Sequence, residues 1–509
     1  MPKVMTAAGS TIGAEAAATV ADAGGNAVDA ALAAVIVSMC TEPGIIAPAA
    51  GAFITVWEPG QDPVTIDAYC EMPGRADPDR IGTGRNEVFM TYGGGMRTNI
   101  GYSSVATPGA FAGFDLASSR YGAVPWAEIF GPAIRYTREG FPLPGVTARY
   151  WEHSHEVIFG WHPASYPFVH HPDGTVRAQG EILAIPELAA SLELIAKGGA
   201  EVFYTGEIGN AIADEIHEHG GILSRADMAA YEAVVRQPIR LQLQDWDIAT
   251  NPEPAIGGAT LAALLLLLGE QGLEGWTAPE IRRLVDAQRA IFTYRGAHLE
   301  SADEDLSSAV KTLLDAAHLG DIGRLLGSGS TTHVSAVDSE GRACAITASA
   351  GYGSGVMVPG TGIWLNNSLG ELELHPKGFH GLEPGTRLMS NMAPTIARNK
   401  DGEVLAIGSA GADRITTAVA ASLINHLWLG MDLIEAVAHP RVHAEVFDGE
   451  PTVAYELDLP VAVDGPVRHF AERSMYFGGV QAAAWSPAKG LIGTADPRRS
   501  GNTASGGRL

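Results

Sequence analysis

Cysteine is scarce in this chain of 509 residues, which has only Cys40, Cys70 and Cys344. Three scattered cysteines cannot build a disulfide framework, and none of them has the Cys-x-x-Cys spacing of a structural zinc site or a redox pair. We therefore predict three buried free thiols.

Positive charge is also in short supply. The chain has 33 lysines and arginines against 58 aspartates and glutamates, so its formal charge is −25. A protein of that charge is repelled at long range by the phosphates of nucleic acids and of anionic membranes. Neither nucleic acid nor a membrane is expected as a partner.

Long hydrophobic runs are missing. The two most apolar stretches, residues 30–40 and 261–268, are well short of the roughly 20 residues that a membrane-spanning helix needs. We expect both to be core helices. The first residues lack a charged region followed by a long apolar run, so no secretory signal is predicted and a cytoplasmic location is expected.

Several familiar motifs are absent. The sequence has no Walker-type Gly-x4-Gly-Lys-Ser/Thr, no clean Gly-x-Gly-x-x-Gly and no Gly-x-Ser-x-Gly elbow, so phosphate cradling and serine-triad chemistry are unsupported. The composition, 46% hydrophobic and 18% charged, is typical of a large globular enzyme. No Pro/Ser-rich or charged linker divides the chain, and one compact body is predicted.

Strand and helix patterns are both present. Turn residues between stretches of strand composition predict two hairpins, 51–57 with 64–69 and 332–338 with 342–348. A further strand is predicted at 402–407. Helices are predicted at 14–34, as a hairpin broken at Gly24-Gly25, and at 110–121, 126–139, 186–197, 206–219, 416–429 and 433–439. Helices flanking antiparallel strands predict an α+β sandwich.

Residues 325–333, Leu-Leu-Gly-Ser-Gly-Ser-Thr-Thr-His, run from a flexible linker directly into a predicted strand. If the Thr331 hydroxyl attacks the carbonyl of Ser330, an N-to-O acyl shift followed by hydrolysis leaves Thr331 as a new N-terminus. Its α-amine, with an ordinary pKa of about 7.7–8.0, can then accept the hydroxyl proton. On spacing alone, however, a strand that merely begins after a linker is the better interpretation.

A resemblance to a known family makes a catalytic Thr331 the better interpretation. Residues 331–341, Thr-Thr-His-Val-Ser-Ala-Val-Asp-Ser-Glu-Gly, resemble the block that opens the small subunit of gamma-glutamyltransferases. Other segments resemble the same family in the same order, namely 24–30, 107–113, 220–231, 355–367, 389–395, 408–414 and 493–498. Together they span nearly the whole chain.

The resemblance implies the four-layer αββα sandwich of N-terminal nucleophile hydrolases, formed jointly by both halves of a self-cleaved precursor. Residues 1–330 would be a mostly helical large subunit that contributes strands, and residues 331–509 the small subunit. No metal or organic cofactor is implied. Whether the processed heterodimer assembles further into a homo-oligomer stays open.

The resemblance also implies catalytic roles. Thr331 is the expected nucleophile, and the backbone N–H groups of Gly411 and Ala412 are expected to form the oxyanion hole. Ala412 replaces a family glycine but keeps the backbone donor. Ser349 stands where the family has a threonine that hydrogen-bonds the nucleophile, and a serine can make the same bond. His333 follows the nucleophile by two residues, and a structural hydrogen-bonding role is favoured for it.

The expected substrate pocket departs from the family pattern. Ser390 and Asn391 stand where the family commonly has a Ser-Ser pair that contacts the substrate α-carboxylate. Glu371 is expected to supply the negative charge that pairs with a substrate ammonium, and Ser368 occupies the place of a family glutamine. A family asparagine expected near Gly351 is missing.

The arginine that grips the substrate carboxylate in the family has no clear counterpart. Arg75 and Arg80 are both candidates, neither in the expected register, and Arg80 is the residue we predict. A metal site at the histidine cluster is a weaker interpretation than a solvated loop, because these histidines have no fixed ligand spacing: His153, His155, His162, His170 and His171.

The function implied is cleavage of gamma-glutamyl amides such as glutathione through an acyl ester on the threonine, with transfer of the acyl group to water or an amine. The main alternative is a related amidohydrolase for another small acid amide, oxamate-like or an acyl-amine side chain. A catalytically silent ligand-binding relative is disfavoured, because Thr331, Ser349 and the Gly411-Ala412 pair are intact.

Overall fold

The computed structural model describes residues 3–84, 86–91, 95–269, 272–300, 305–319, 331–371, 374–375, 377–447 and 449–507. The strands within these ranges are β1 Val4–Ala8, β2 Gly51–Trp57, β3 Val64–Ala68, β4 Asn86–Met90, β5 Met96–Ile100, β6 Phe141–Pro142, β7 Ile182–Leu183, β8 Val234–Arg236, β9 Ile239–Leu243, β10 Trp246–Thr250, β11 Thr332–Asp338, β12 Ala343–Ser349, β13 Met357–Val358, β14 Ile363–Trp364, β15 Thr395–Asn399, β16 Val404–Ala410, β17 Val442–Phe447, β18 Glu450–Glu456, β19 Val467–Phe470, β20 Gly479–Ser486, β21 Gly490–Ala495 and β22 Asn502–Gly506.

The helices within the same ranges are α1 Thr11–Asp22, α2 Ala27–Thr41, α3 Ala110–Tyr121, α4 Trp126–Glu139, α5 Gly145–Ser154, α6 Tyr166–Val169, α7 Pro186–Gly198, α8 Glu201–Tyr204, α9 Glu207–Glu218, α10 Arg225–Ala230, α11 Ile256–Leu268, α12 Ala278–Tyr294, α13 Leu306–Leu319, α14 Arg414–Leu423 and α15 Leu433–Ala438. The two predicted hairpins are confirmed as β2–β3 and β11–β12. The predicted strand at 402–407 is shifted to β16, because pairing with β20 continues to Ala410. The predicted helix at 416–429 begins earlier, at Arg414, and its last turns are π-helical from Ile424 to Trp428.

Two antiparallel sheets form the centre of the molecule. The larger has the order β22-β1-β11-β12-β2-β3-β8 and the smaller β21-β20-β16-β15-β10-β9. Both sheets combine strands that precede residue 330 with strands that follow it, and in the larger sheet the two sets interleave. The division into large and small subunits stays a prediction, but neither segment holds all the strands of either sheet.

Helices cover the outer faces of both sheets. α1 and α2 pack on the larger sheet, and α11 and α14 pack on the smaller one. The predicted four-layer αββα sandwich is therefore confirmed. α1 and α2 meet at Gly24, whose φ of 104° favours glycine, and Asn26 and Asp29 form a capping box that starts α2.

The apolar stretches belong to buried helices, as predicted. α2 contains residues 30–40, which are all buried, and α11 contains residues 261–268. Of the helices in the described ranges, none is both long and apolar enough to cross a membrane. Cys40, Cys70 and Cys344 are buried free thiols, which confirms the prediction.

Residue alternation along β11 decides which side chains face the gap between the sheets. Val334 and Ala336 belong to the core beneath the helices. His333 packs against Gly408 of the smaller sheet, where an added Cβ would lie 2.2 Å from the imidazole. The Ser335 hydroxyl donates to the carbonyl of Gln481 at 3.0 Å. Odd-numbered residues of β11 therefore face the gap, and even-numbered residues face the helices.

Candidate active site

Four adjacent strands of the larger sheet bring one row of residues to the same end of the gap. β11 pairs with β12, β12 with β2, and β2 with β3. When these registers are extended to the ends of the strands, four residues lie side by side in one row across the sheet: Thr331, Ser349, Gly51 and Tyr69. Neighbours in such a row are about 4.5–5.5 Å apart between Cα atoms. The predicted nucleophile and its predicted partner, Ser349, therefore lie on neighbouring strands.

Thr331 begins this row. It is 3% exposed, and by the alternation of β11 it faces the gap on the same side as His333, while Thr332 faces the helix layer. Within the described residues the Thr331 hydroxyl makes no hydrogen bond that would hold it away from a reacting carbonyl. Ser330, the predicted cleavage position, lies outside the described residues.

Gly411 and Ala412 form a sharp turn between β16 and α14. Their φ angles are 122° and 71°, in the left-handed region that a non-glycine residue adopts at a cost. A Cβ on Gly411 would lie 2.6 Å from the Cα of Gly478, so only glycine fits. In the part of the chain that the structure describes, neither N–H of this turn donates to another residue, and both lie at the positive end of α14.

The sandwich geometry brings this turn toward Thr331. β11 and β16 pack face to face, with His333 against Gly408 and Val337 in the same cluster as Val404, so the strands run in opposite directions. Thr331 lies two residues before His333 in the sequence. Ala410 lies two residues after Gly408 and directly precedes the turn. The predicted nucleophile and oxyanion-hole donors thus lie at one end of the gap.

Asp413 follows the turn and carries a charge. Burial alone would raise the pKa of its carboxyl, but Arg414 and His443 outweigh burial and lower the pKa to about 2. His443 Nε2 lies 3.7 Å from the carboxylate, and its Nδ1 is 3.0 Å from the Thr417 hydroxyl. These contacts connect the turn to β17 and to the first turns of α14.

His333 is a structural residue in this arrangement. Its Nδ1 and Nε2 lie 2.8 Å from the Thr347 hydroxyl and 2.9 Å from the Ser335 hydroxyl. Burial lowers its pKa from 6.5 to about 3, so the imidazole is neutral near pH 7. Its hydrogen bonds join β11 to β12 within the larger sheet, and its ring packs against Gly408 of the smaller sheet.

The neutral state of His333 gives a pH prediction. The unfolded chain takes up this proton below pH 6.5 and the folded chain only near pH 3, so folding free energy is lost as the pH falls between these values. From pH 7 to pH 4.5 the His333 contribution falls by roughly 2–3 kcal/mol. We expect urea unfolding in the uncut Thr331→Ala background to show this loss, and the further variant His333→Gln to lack it. Parallel pH profiles for both proteins would contradict the prediction.

A polar cluster lies next to the row. We define the polar cluster as Tyr69, Ser368, Glu371, Ser390 and Asn391, all of them buried. Ser368 and Ser390 are close enough to the Tyr69 hydroxyl to act on its pKa, although burial, reinforced by the charge of Glu371, raises that pKa well above its usual value. Four of these five residues were predicted as substrate contacts.

Backbone contacts fix the two sides of the polar cluster. The Ser390 carbonyl accepts from the N–H of Ile256 at 2.8 Å, at the start of α11. The Ser368 N–H donates to the Asn366 side chain at 3.0 Å. Asn391 is 5% exposed, and neither its Oδ1 nor its Nδ2 has a hydrogen-bond partner among the described residues. A buried amide with two unsatisfied groups indicates a ligand contact.

Gly351 explains the missing family asparagine. Its φ is 62°, and an added Cβ would lie 2.2 Å from Asn367 Oδ1 and 3.2 Å from Glu371 Oε2. The side chains of Asn367 and Glu371 occupy the space that a longer residue would need. This shortened turn therefore brings Glu371 close to Ser349, whose Oγ accepts from the Gly351 N–H at 3.1 Å.

The predicted carboxylate-binding arginine is held elsewhere. Arg80 donates to the His217 carbonyl at 2.8 Å and contacts the His217 ring, so it is bound to α9 and not to the polar cluster. Arg75 pairs with Glu71 at 3.0 Å. Arg80 was the arginine predicted from the sequence, but its contacts with His217 place it beside α9.

The histidine stretch shows local pairing. His155 Nδ1 lies 3.0 Å from His170 Nε2, and His171 pairs with Glu181 at 2.9 Å. Among the described residues, no three potential metal ligands of the His, Cys, Asp or Glu types gather at one point.

Comparison with known proteins decides the family. The sequence matches the gamma-glutamyltranspeptidase family from residue 13 to residue 506. The chain belongs to this family. Like its members, this gamma-glutamyltranspeptidase-family chain is an amide hydrolase or acyltransferase of the N-terminal nucleophile type.

Some relatives of this gamma-glutamyltranspeptidase-family chain are named glutathione hydrolases and others are named acylases. This chain is 28% identical over 478 residues to glutathione hydrolase proenzyme 1 of Schizosaccharomyces pombe, and the match covers 87% of this chain and 74% of the relative. It is 29% identical over 505 residues to the acylase ACY 1 proenzyme of a Pseudomonas species, covering 94% and 89%. Its fold matches cephalosporin acylase from Bacillus halodurans with a TM-score of 0.84 at 24% identity, covering 99% and 96%.

Tyr69 lies in the row with Thr331, and it was not predicted from the sequence. The signal for it lies on the neighbouring strand. Alternate residues of β2 point to the same face of the sheet, and the face that carries Phe53, Thr55 and Trp57 lines the gap. Gly51 belongs to the same alternating set. A glycine in that place indicates that another group crosses closely above it, and an added Cβ on Gly51 would lie 2.6 Å from Tyr69 Cδ2.

Proposed function

We propose that this protein is a self-processing threonine amidase that cleaves small amides through an ester on Thr331. One observation carries the proposal: Thr331 lies at the end of an inner strand, beside Ser349, at the end of the gap where the Gly411-Ala412 turn leaves two N–H donors unused. A nucleophile and a preformed oxyanion hole at one point are the minimum that acyl transfer requires.

Maturation follows from the same groups. The Thr331 oxygen attacks the Ser330 carbonyl carbon, the C–N bond breaks, and the Thr331 nitrogen takes a proton and becomes a free amine. Water then hydrolyses the ester and releases residues 1–330 with a carboxylate end. The two pieces stay together, because their strands share both sheets.

Turnover repeats this chemistry on a substrate. The Thr331 hydroxyl gives its proton to its own α-amine as the oxygen attacks the amide carbonyl. The N–H groups of Gly411 and Ala412 stabilise the negative oxygen of the tetrahedral intermediate. The leaving amine departs with the proton, and water or another amine then takes the acyl group from the ester.

Two substrate classes are candidates. Gamma-glutamyl amides such as glutathione are suggested by relatives named glutathione hydrolase. An amide of a different acyl group is suggested by relatives named acylase. The arginines favour the second class, since Arg80 is bound to His217 and Arg75 to Glu71, which leaves neither free to pair with a glutamyl α-carboxylate.

Mass spectrometry tests the proposal directly. We expect purified protein to consist of two pieces, residues 1–330 and 331–509, and N-terminal sequencing to begin at Thr331. Blocking the new amine by mild acetylation should abolish turnover of a chromogenic anilide, because the base is lost. A fully active but uncut chain would contradict the proposal.

A further inference from the structure

The Tyr69 ring reaches toward the nucleophile. In the row Thr331, Ser349, Gly51, Tyr69, the ring crosses Gly51, whose added Cβ would clash with Tyr69 Cδ2 at 2.6 Å. Phe53 stacks on the ring, with centroids 5.4 Å apart and planes 24° apart. The side chain is thus fixed along the row, pointing back from the fourth strand toward the first.

The Tyr69 hydroxyl lies near two hydroxyl residues that come from different parts of the chain. Ser368 and Ser390 both act on its pKa, and Tyr69 is only 2% exposed. Since burial holds the phenol neutral, it offers an uncharged hydrogen-bonding group at this position. A substrate acyl group that extends from Thr331 along the row would meet the hydroxyl and then the ring.

The arginines nearest in sequence to this position are already neutralised. Arg387 lies 2.9 Å from Glu71 and 3.3 Å from Asp67, and it stacks on the Tyr231 ring at 4.5 Å. Arg75 shares Glu71 with it. Arg236 also pairs with Asp67 at 2.8 Å, and Arg75 lies 3.9 Å from Asp227. These three arginines and three carboxylates together carry no net positive charge for a further anion.

Arg499 stands on the other side of the nucleophile. Its guanidinium lies 3.7 Å from where a Cβ on Gly411 would be, and it packs over Gly479 at the start of β20. β20 borders β16 on one side, whereas Ser390 leads into β15 on the opposite side. Tyr69 likewise lies on the β12 side of β11. In strand order, Arg499 therefore lies on the opposite side of Thr331 from the polar cluster.

We propose that the polar cluster is an acyl subsite that accepts acyl groups without a carboxylate, and that Tyr69 and Asn391 determine this specificity. This inference rests on the proposed function. A carboxylate entering the subsite would lose its hydration, the described residues of the polar cluster include no cation to replace it, and Glu371 would repel it. An uncharged or amine-bearing group would instead meet hydroxyls, the Asn391 amide and a carboxylate of opposite sign.

Four p-nitroanilides that share a butyryl chain test the inference on the mature enzyme. Gamma-glutamyl anilide has an amine and a carboxylate, 4-aminobutyryl anilide has only the amine, glutaryl anilide has only the carboxylate, and butyryl anilide has neither. We expect kcat/KM to be at least about tenfold higher for 4-aminobutyryl than for gamma-glutamyl anilide, and for butyryl than for glutaryl anilide.

The outcomes separate the two proposals. An uncut chain with no turnover of any anilide would overturn the proposed function. A processed enzyme that prefers the gamma-glutamyl or glutaryl anilide would overturn the subsite and leave the proposed function standing. A processed enzyme that turns over neither carboxylate-free anilide would also overturn the subsite.

Two variants test the named residues. Asn391→Leu removes an unsatisfied buried amide, so thermal stability should not fall, while KM for 4-aminobutyryl anilide should rise about tenfold with little change in kcat. Tyr69→Phe keeps the ring over Gly51 and should raise KM in the same way. Asn210→Leu on α9 is the matched control with unchanged KM. Unchanged KM in both site variants would refute their roles.

Discussion

Replacing Thr331 by alanine is expected to stop both maturation and turnover. The variant should be recovered as a single chain of 53.2 kDa, because the oxygen that would attack the Ser330 carbonyl is gone. Turnover of a p-nitroanilide should fall by at least about 10⁴-fold, since the same oxygen carries the acyl group. Intact-mass spectrometry and a single-turnover anilide assay measure the two effects separately.

The adjacent threonine is the matched control. Thr332 begins β11 but faces the helix layer, with its hydroxyl 3.1 Å from where a Cβ on Gly9 would be. Thr332→Val keeps its shape and removes only that hydroxyl. It should mature and turn over substrate within a few-fold of the wild type. Normal cleavage of Thr331→Ala would contradict the assignment of Thr331 as the nucleophile. The same holds if Thr332→Val were the only one of the two variants that stayed uncut.

Replacing Gly411 by alanine is expected to lower kcat by about 10²- to 10³-fold while KM changes much less. The backbone φ of 122° is unfavourable for alanine, and the new Cβ would stand 2.6 Å from the Gly478 Cα. The turn must shift, and its N–H groups no longer point at the position where negative charge develops. Steady-state kinetics on the best anilide would measure this change.

The neighbouring position is the control for this prediction. Ala412 has a φ of 71°, so Ala412→Gly relieves strain and leaves the N–H donor in place. We expect its kcat to stay within about threefold of the wild type and its melting temperature not to fall. Equal losses in Gly411→Ala and Ala412→Gly would indicate that the turn is only structural.

Local structure could be predicted where short-range patterns determine it. The hairpins β2–β3 and β11–β12 follow from strand residues and turns, and the helix hairpin of α1 and α2 follows from Gly24 and Gly25. The catalytic expectations came from resemblance over the whole chain, not from spacing. The strand registers then place Thr331 and Ser349 next to each other without any appeal to relatives.

The residues that flank the nucleophile could not be predicted, because they are brought together by contacts between segments that are far apart in the sequence. Tyr69 joins the row only through β2, which separates β3 from β12 in the sheet. Arg80 is close to Glu71 in sequence but is bound to His217 on α9. Neither the order of strands in a sheet nor the partner of a long flexible side chain can be read from a local pattern.

The interleaved strands of the larger sheet have a consequence for the life of the molecule. β1, β2, β3 and β8 precede the proposed cut, while β11, β12 and β22 follow it, so three of the six strand boundaries in that sheet join the two segments. Folding of the newly made chain is unimolecular. After the cut, recovery from denaturation would require two separate polypeptides to meet, and its yield would depend on protein concentration. Each molecule would thus reach the native state as a unimolecular process only at its first folding.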